Sequence, residues 1–166
     1  MKLHLFSGLL AAALTLSTLP SQAIEVGQVA PAFELPARQG LLKSSDLKGR
    51  VVYLDFWASW CGPCKQSFPW MNEMNARYAS KGLRIVGVNL DEKSQDANLF
   101  LGDNPASFDI AFDAKAVTPR QYGVKGMPTS LLIGPDGKVL MVHTGFKPTQ
   151  RSELEQQIRQ ALNVKD

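Results

Sequence analysis

Two runs of the chain are apolar at both parities, the pattern of strands covered on two faces. Val51-Val52-Tyr53-Leu54-Asp55-Phe56-Trp57 is the stronger, and Asp55 is its single interruption. Leu83 to Leu90 is the other. A helix is predicted between them, from near Pro63 to about Ser80. Phe68, Met71, Met74 and Tyr78 fall close to helical spacing there and make one apolar face. Pro63 suits a first helical turn, where its missing N–H costs nothing. Pro69 falls inside and predicts a kink. Gly82 closes the unit. A helix of crossover length between two buried strands predicts a parallel pair with a right-handed connection.

The remaining patterns are shorter. Ala30 to Leu35 reads as extended, Gly40 as a turn and Leu41 to Ser44 as an edge strand. Ser45 to Lys48 resembles one helical turn, stopped by Gly49. Asp91 to Gly102 reads as a helix with Ser94 as its candidate cap. Phe108 to Phe112 alternates like a short strand. Ala114 to Tyr122 reads as a short helix, with Pro119 restricting where it begins. Thr129 to Ile133 is a third core strand. Pro135-Asp136-Gly137 is a strong turn signal, and Val139 to Thr144 returns from it as a hairpin. A last helix opens at Thr149 or Arg151, with Leu154, Ile158 and Leu162 recurring every four residues. No internal repeat or interdomain linker interrupts the series, so one α/β domain is expected.

The N-terminus is patterned differently. Met1, Lys2 and His4 make a weakly basic start, Leu5 to Leu16 is nearly all apolar, and Ser21-Gln22-Ala23 offers small residues where a signal peptidase reads. This predicts a secretion signal over residues 1–23, cleaved after Ala23, and a mature domain over 24–166. The alternative is an uncleaved anchor, although the apolar stretch is short for a span of about 20 residues. The whole chain carries 18 Lys plus Arg against 15 Asp plus Glu, a net charge of +3 spread along its length. Nothing in that distribution asks for nucleic acid.

Only two cysteines exist, Cys61 and Cys64, at the start of the first predicted helix. One helical turn apart, they can reach disulfide distance. So small a loop contributes little to global stability, which leaves chemistry as the reason for the pair. A secreted chain with one CxxC and no other cysteine relies on its core and keeps its thiols for exchange. With no eukaryotic retention signal, the expected compartment is a bacterial periplasm. Cys61 is expected to sit exposed at the helix N-terminus, where unpaired N–H groups and the helix dipole favour the thiolate. It is therefore the candidate nucleophile. Cys64, deeper in the turn, is the candidate resolving thiol that breaks the mixed disulfide. Trp60, Gly62 and Pro63 support the pair, Gly62 by giving the turn room and Pro63 by stiffening it. Neither intervening residue is cationic or a histidine, which favours a reductant over a strong oxidant. A metal site is the weaker reading, because zinc needs about four ligands and His143 is the only histidine beyond residue 23. No cofactor is called for.

Asp55 is costly on a buried strand unless it is paired, and burial raises such a pKa. Its functional reading is a proton acceptor for Cys64, through water. The alternative is a carboxylate at a strand end that reaches solvent. Gly126-Met127-Pro128-Thr129 precedes the third core strand. Pro128 there can be cis, which would let Met127 offer unpaired backbone groups to an extended substrate segment. An ordinary trans proline at a strand start is equally open from the residues alone.

Phe56 to Lys65, with its Trp-Cys-Gly-Pro-Cys core, resembles the active-site segment of thioredoxin. Pro69 and Gly126-Met127-Pro128-Thr129 match its helix kink and its cis-proline loop. The resemblance implies that Pro128 is cis, that Met127, Pro128 and Thr129 bind substrate, and that Asp55 stands at thioredoxin's buried aspartate. Residues 27–164 are more specifically similar to the secreted TlpA/ResA reductases. The opening from Gly27 to Leu35 resembles their Ala-Pro-x-Phe motif, and Asp91 to Phe112 falls where they carry an inserted strand-helix element. This implies a thioredoxin-like fold with a central mixed sheet flanked by helices. It also implies a thiol-disulfide oxidoreductase acting on disulfide-containing periplasmic proteins, with electrons from a membrane thiol transporter of the DsbD/CcdA type; a monomer is expected. Ser67 stands where many cytochrome c maturation reductases carry a glutamate, so the proton chemistry looks thioredoxin-like. Two functions remain beside a client reductase: a disulfide-forming oxidant, and a non-enzymatic copper chaperone for oxidase assembly using Cys61, Cys64 and His143. Peroxiredoxin chemistry is disfavoured, because it wants Thr or Ser where this chain has Ala58.

Overall fold

A computed structural model describes residues 23–164. The apolar run Leu5 to Leu16 and the Ser21-Gln22 part of the expected cleavage site lie outside the described residues. Seven strands form one mixed sheet: β1 (Glu34–Ala37), β2 (Gly40–Lys43), β3 (Val51–Trp57), β4 (Leu83–Asn89), β5 (Asp109–Phe112), β6 (Thr129–Ile133) and β7 (Val139–Thr144). Their spatial order is β2-β1-β5-β4-β3-β6-β7. The two most apolar strands, β3 and β4, take the centre of the sheet. β3 and β4 run parallel from Val51↔Leu83 to Trp57↔Asn89, joined through the helix α1 (Gly62–Tyr78). β5 extends the parallel part, while β6 and β7 add antiparallel strands on the other flank.

Alternation along β3 sorts the core into two layers. Val51, Tyr53 and Trp57 face a cluster with Cys64, Phe68, Met71, Met74 and Tyr78 of α1, joined by Leu154 and Ile158 of α4 (Arg151–Ala161). Val52, Leu54 and Phe56 face a second cluster with Val86, Val88, Leu131, Phe33 and Tyr122. Much of that second face is covered by an arm, residues 24–33, rather than by a long helix. Main-chain bonds Gly27 N–H to Val139 O (2.8 Å), Ala30 N–H to Gly137 O (2.9 Å) and Val139 N–H to Gln28 O (2.9 Å) sew the arm to the hairpin. The Tyr122 hydroxyl donates to Pro31 O at 2.7 Å.

The helices differ from expectation mainly at their starts. α1 runs through Pro69 to Tyr78 without ending, and Gly82 stops the following 3-10 turn at φ 104°. α2 (Ser94–Asp103) has Lys93, not Ser94, at its N-cap, with no side-chain cap bond. The short α3 (Val117–Gln121) begins three residues later than expected. Asp113, on the loop after β5, takes the N–H groups of Val117 and Thr118 at 3.2 and 2.6 Å and so fixes its first turn. The segment after β4 is inserted as α2 then β5, and β5 lies between β4 and β1.

Candidate active site

The redox pair sits where β3 hands over to α1. Cys61 is the N-cap residue with extended backbone, φ −85° and ψ 102°. Its sulfur accepts the Cys64 N–H at 3.3 Å, taking the place a capping oxygen normally holds. Pro63 lies in the first turn, where it has no donor to waste. Cys61 and Cys64 are joined as a disulfide with a Cα–Cα distance of 5.3 Å. The expected exposure of Cys61 is corrected here. It keeps 5% of its surface, and Cys64 none. Both belong to the buried cluster under α1, against which Met127 also packs. Burial follows from that packing, and Cys61 keeps the only exposed surface of the pair. Trp60 beside it is 72% exposed.

The Met127–Pro128 peptide is cis. Pro128 and Thr129 are buried, and the Thr129 hydroxyl donates to Gly126 O at 2.7 Å, bracing the loop. The Pro128 carbonyl accepts the Gly145 N–H at 2.7 Å. Among the described residues no hydrogen bond occupies the main chain of Met127. Ser67 is buried on α1 and donates to the Cys64 carbonyl at 3.0 Å, a bond within its own helix turn.

Asp55 is 1% exposed, which removes the reading of a carboxylate reaching solvent at the strand end. It shares the parity of Tyr53 and Trp57 and so points into the layer that holds the cysteines. Ser130, its register partner on β6, donates from Oγ to Asp55 Oδ1 at 2.6 Å. Asp55 Oδ2 is buried with no partner among the described residues. Burial pushes the Asp55 carboxyl up to about 7, against the Ser130 bond, which pulls it down. Tyr53 is raised too, by burial first and then by the Asp55 charge. His143, half-buried on β7, stands opposite Ser130, and its Nε2 is buried with no partner among the described residues.

One site residue escapes a motif reading. Asp91, just past β4, is buried and accepts the Ser59 N–H at 3.0 and 3.2 Å, the Ser59 hydroxyl at 3.0 Å and the Asn89 amide at 2.7 Å. It anchors the loop that delivers Trp60 and Cys61. Its only sequence signal is a charged residue directly after a buried strand, and that pattern equally describes a solvated strand end.

A capped cysteine pair at a helix start, in a core cluster against which Met127 of a cis-proline loop packs, on a mixed sheet, defines a thioredoxin-like thiol-disulfide oxidoreductase. Residues 25–158 match the Redoxin family model. The chain is 38% identical over 125 residues to the thiol-disulfide oxidoreductase ResA of Bacillus subtilis, covering 75% of this chain and 70% of that protein. It is 36% identical to ResA of Bacillus anthracis, covering 78% and 76%. Among solved structures, a candidate thiol:disulfide interchange protein DsbE from Chlorobium tepidum is 59% identical with a TM-score of 0.83, covering 84% of this chain and 99% of that one. StoA from Bacillus subtilis is 26% identical with a TM-score of 0.66, covering 78% and 98%. The chain belongs to the Redoxin family, as a thioredoxin-like member of its TlpA/ResA group.

Proposed function

We propose that the protein reduces disulfides in client proteins of the bacterial periplasm. Cys61 attacks the client, and Cys64 resolves the mixed disulfide. The observation that carries this reading is the sulfur of Cys61 in the cap position of α1, taking the Cys64 N–H at 3.3 Å. A thiolate in that position receives a donor and the positive end of a helix. Cys64, with no exposed surface, cannot meet a client first. Asp55 takes the proton that Cys64 gives up as it attacks. Met127, with its free main-chain groups beside cis Pro128 and Thr129, pairs with an extended client segment.

Reduction is favoured over oxidation because neither residue between the cysteines is cationic. Residues 1–23 act as the secretion signal. Among the described residues no helix is long and apolar enough to cross a membrane. Re-reduction falls to a membrane thiol transporter of the DsbD/CcdA type, and the protein works as a monomer.

The test is insulin reduction by the pre-reduced protein together with the redox potential of the pair. Wild type is expected to precipitate insulin chains, with a potential near thioredoxin's roughly −270 mV, and Cys61→Ser to abolish the activity. A potential near roughly −120 mV would reverse the direction and make the protein an oxidant.

A further inference from the structure

Asp55, Ser130 and His143 form one row across β3, β6 and β7, set by the registers Asp55↔Ser130 and Ser130↔His143. Residues directly opposite in such a ladder present their side chains to the same face. The row therefore lies under α1, on the side of the cysteines. Asp55 is held from one flank only. Its register partner on the other flank is Gly87, which brings no side chain, and a Cβ there would stand 3.0 Å from Trp57 Nε1. The Ser130 hydroxyl is the only described group that hydrogen-bonds the carboxylate.

We propose that Ser130 is the positioning residue for proton transfer at Asp55: its hydroxyl ties down Oδ1 and leaves Oδ2 to take the proton released at Cys64. This rests on the reading of Asp55 given above and adds the group that governs it. A hydroxyl has one proton to donate. Protonation at Oδ1 would cost the Ser130 bond. Protonation at Oδ2 leaves it intact, because a neutral carboxyl still accepts at its carbonyl oxygen. The bond thus serves both states of Asp55, and nothing has to move when the proton arrives. In the step itself the Cys64 thiol passes its proton to Oδ2, and the thiolate attacks the Cys61 sulfur. The Cys61–Cys64 bond forms, the bond to the client breaks, and the client leaves as a thiolate that takes up a proton. The protein is oxidised by two electrons and the client disulfide reduced by two.

Other titratable groups around Asp55 are few. Tyr53 precedes it on β3, and burial holds its phenol neutral. His143 lies one strand beyond Ser130. From α1, Cys64 lies in the buried cluster with Tyr53 and Trp57, the strand neighbours that share the parity of Asp55. α4 turns Leu154 and Ile158 to the core, and its Glu155 is taken by the Tyr78 hydroxyl at 2.5 Å and by Arg77 at 2.8 Å.

The experiment is single-turnover reduction of a peptide disulfide by the pre-reduced full chain, from pH 5 to 9. Ser130→Ala, Ser130→Thr, Asp55→Asn and the Ser130→Ala/Asp55→Asn pair are compared with wild type, with thermal unfolding as the folding control. Loss of a hydrogen bond to the carboxylate is expected to move the acidic limb of the Ser130→Ala profile up by about one pH unit and slow turnover at pH 6 about tenfold. Ser130→Thr is expected to restore the wild-type midpoint, and Ser130→Ala to change nothing further once Asp55 is Asn. If Asp55→Asn itself keeps the wild-type profile, the role of Asp55 falls and this proposal with it. If Asp55→Asn flattens the profile while Ser130→Ala leaves it in place, or shifts it equally without Asp55, Ser130 does not position the proton and only this proposal is overturned.

Discussion

Asp55 sits where a carboxylate is least welcome, and its cost is readable as a pH dependence. The unfolded chain loses this proton near 3.8 and the folded chain near 7. Between those values the folded state holds a proton that the unfolded state has released. Stability from this site is therefore greatest below the unfolded value, falls as pH rises through the interval, and is lowest above 7. Asp55→Asn should match wild type near pH 4 and exceed it above pH 7 by on the order of 2–4 kcal/mol in urea unfolding. A variant no more stable at pH 8 than wild type would show that the buried carboxylate is not strained. The position of Asp55 was legible as one acid in a seven-residue apolar strand. Its partner was not. Ser130 reads as one small residue in a core strand, and only the β3–β6 register brings it within 2.6 Å. The burial of Cys61 was illegible for a related reason: local spacing places a sulfur at a helix start, but the cluster packed over it comes from distant segments.

Among the elements, the short connection between β3 and α1 depends on its neighbour. Ala58, Ser59 and Trp60 carry the chain from sheet to helix, and Asp91 grips the middle of the turn from the end of β4. Asp91→Ala strips the partner from the part-buried Ser59 main-chain donor and from the buried Asn89 amide. A loss of about 1–3 kcal/mol is expected, read as a lower urea midpoint at unchanged slope. Ser59→Ala removes only the hydroxyl bond and should cost about 1 kcal/mol or less. Equal losses for the two variants would mean that the main-chain bonds carry nothing. The strands of this region were legible because apolar runs and turn residues are local signals. Val51–Trp57, Thr129–Ile133 and Val139–Thr144 follow the pattern residue for residue. Helix starts were less so. α3 begins where the Asp113 carboxylate takes its first N–H groups, and α2 takes Lys93 rather than Ser94 as its cap with no side-chain cap bond.

At the scale of the whole molecule, the parallel pair and its crossover helix follow from the sequence pattern, and the resemblance to thioredoxin supplies the rest of the mixed sheet. What neither conveyed is how the arm at residues 24–33 closes the second face, since Ala30 and Phe33 bury against strands far away in the chain. The two faces are unequal in purpose: one is sealed by that arm, and the other carries the sulfurs under α1. On the face under α1, the exposed surface of the cysteine pair narrows to the sliver of Cys61 beside Trp60. On the proposed reductase cycle, electron source and client use that same doorway, so neither docks while the other occupies it. Traffic is obliged to alternate. Steady-state assays with both partners should give the parallel double-reciprocal lines of a ping-pong cycle, and an excess of donor should slow turnover by queuing ahead of the client; intersecting lines would require a second way in.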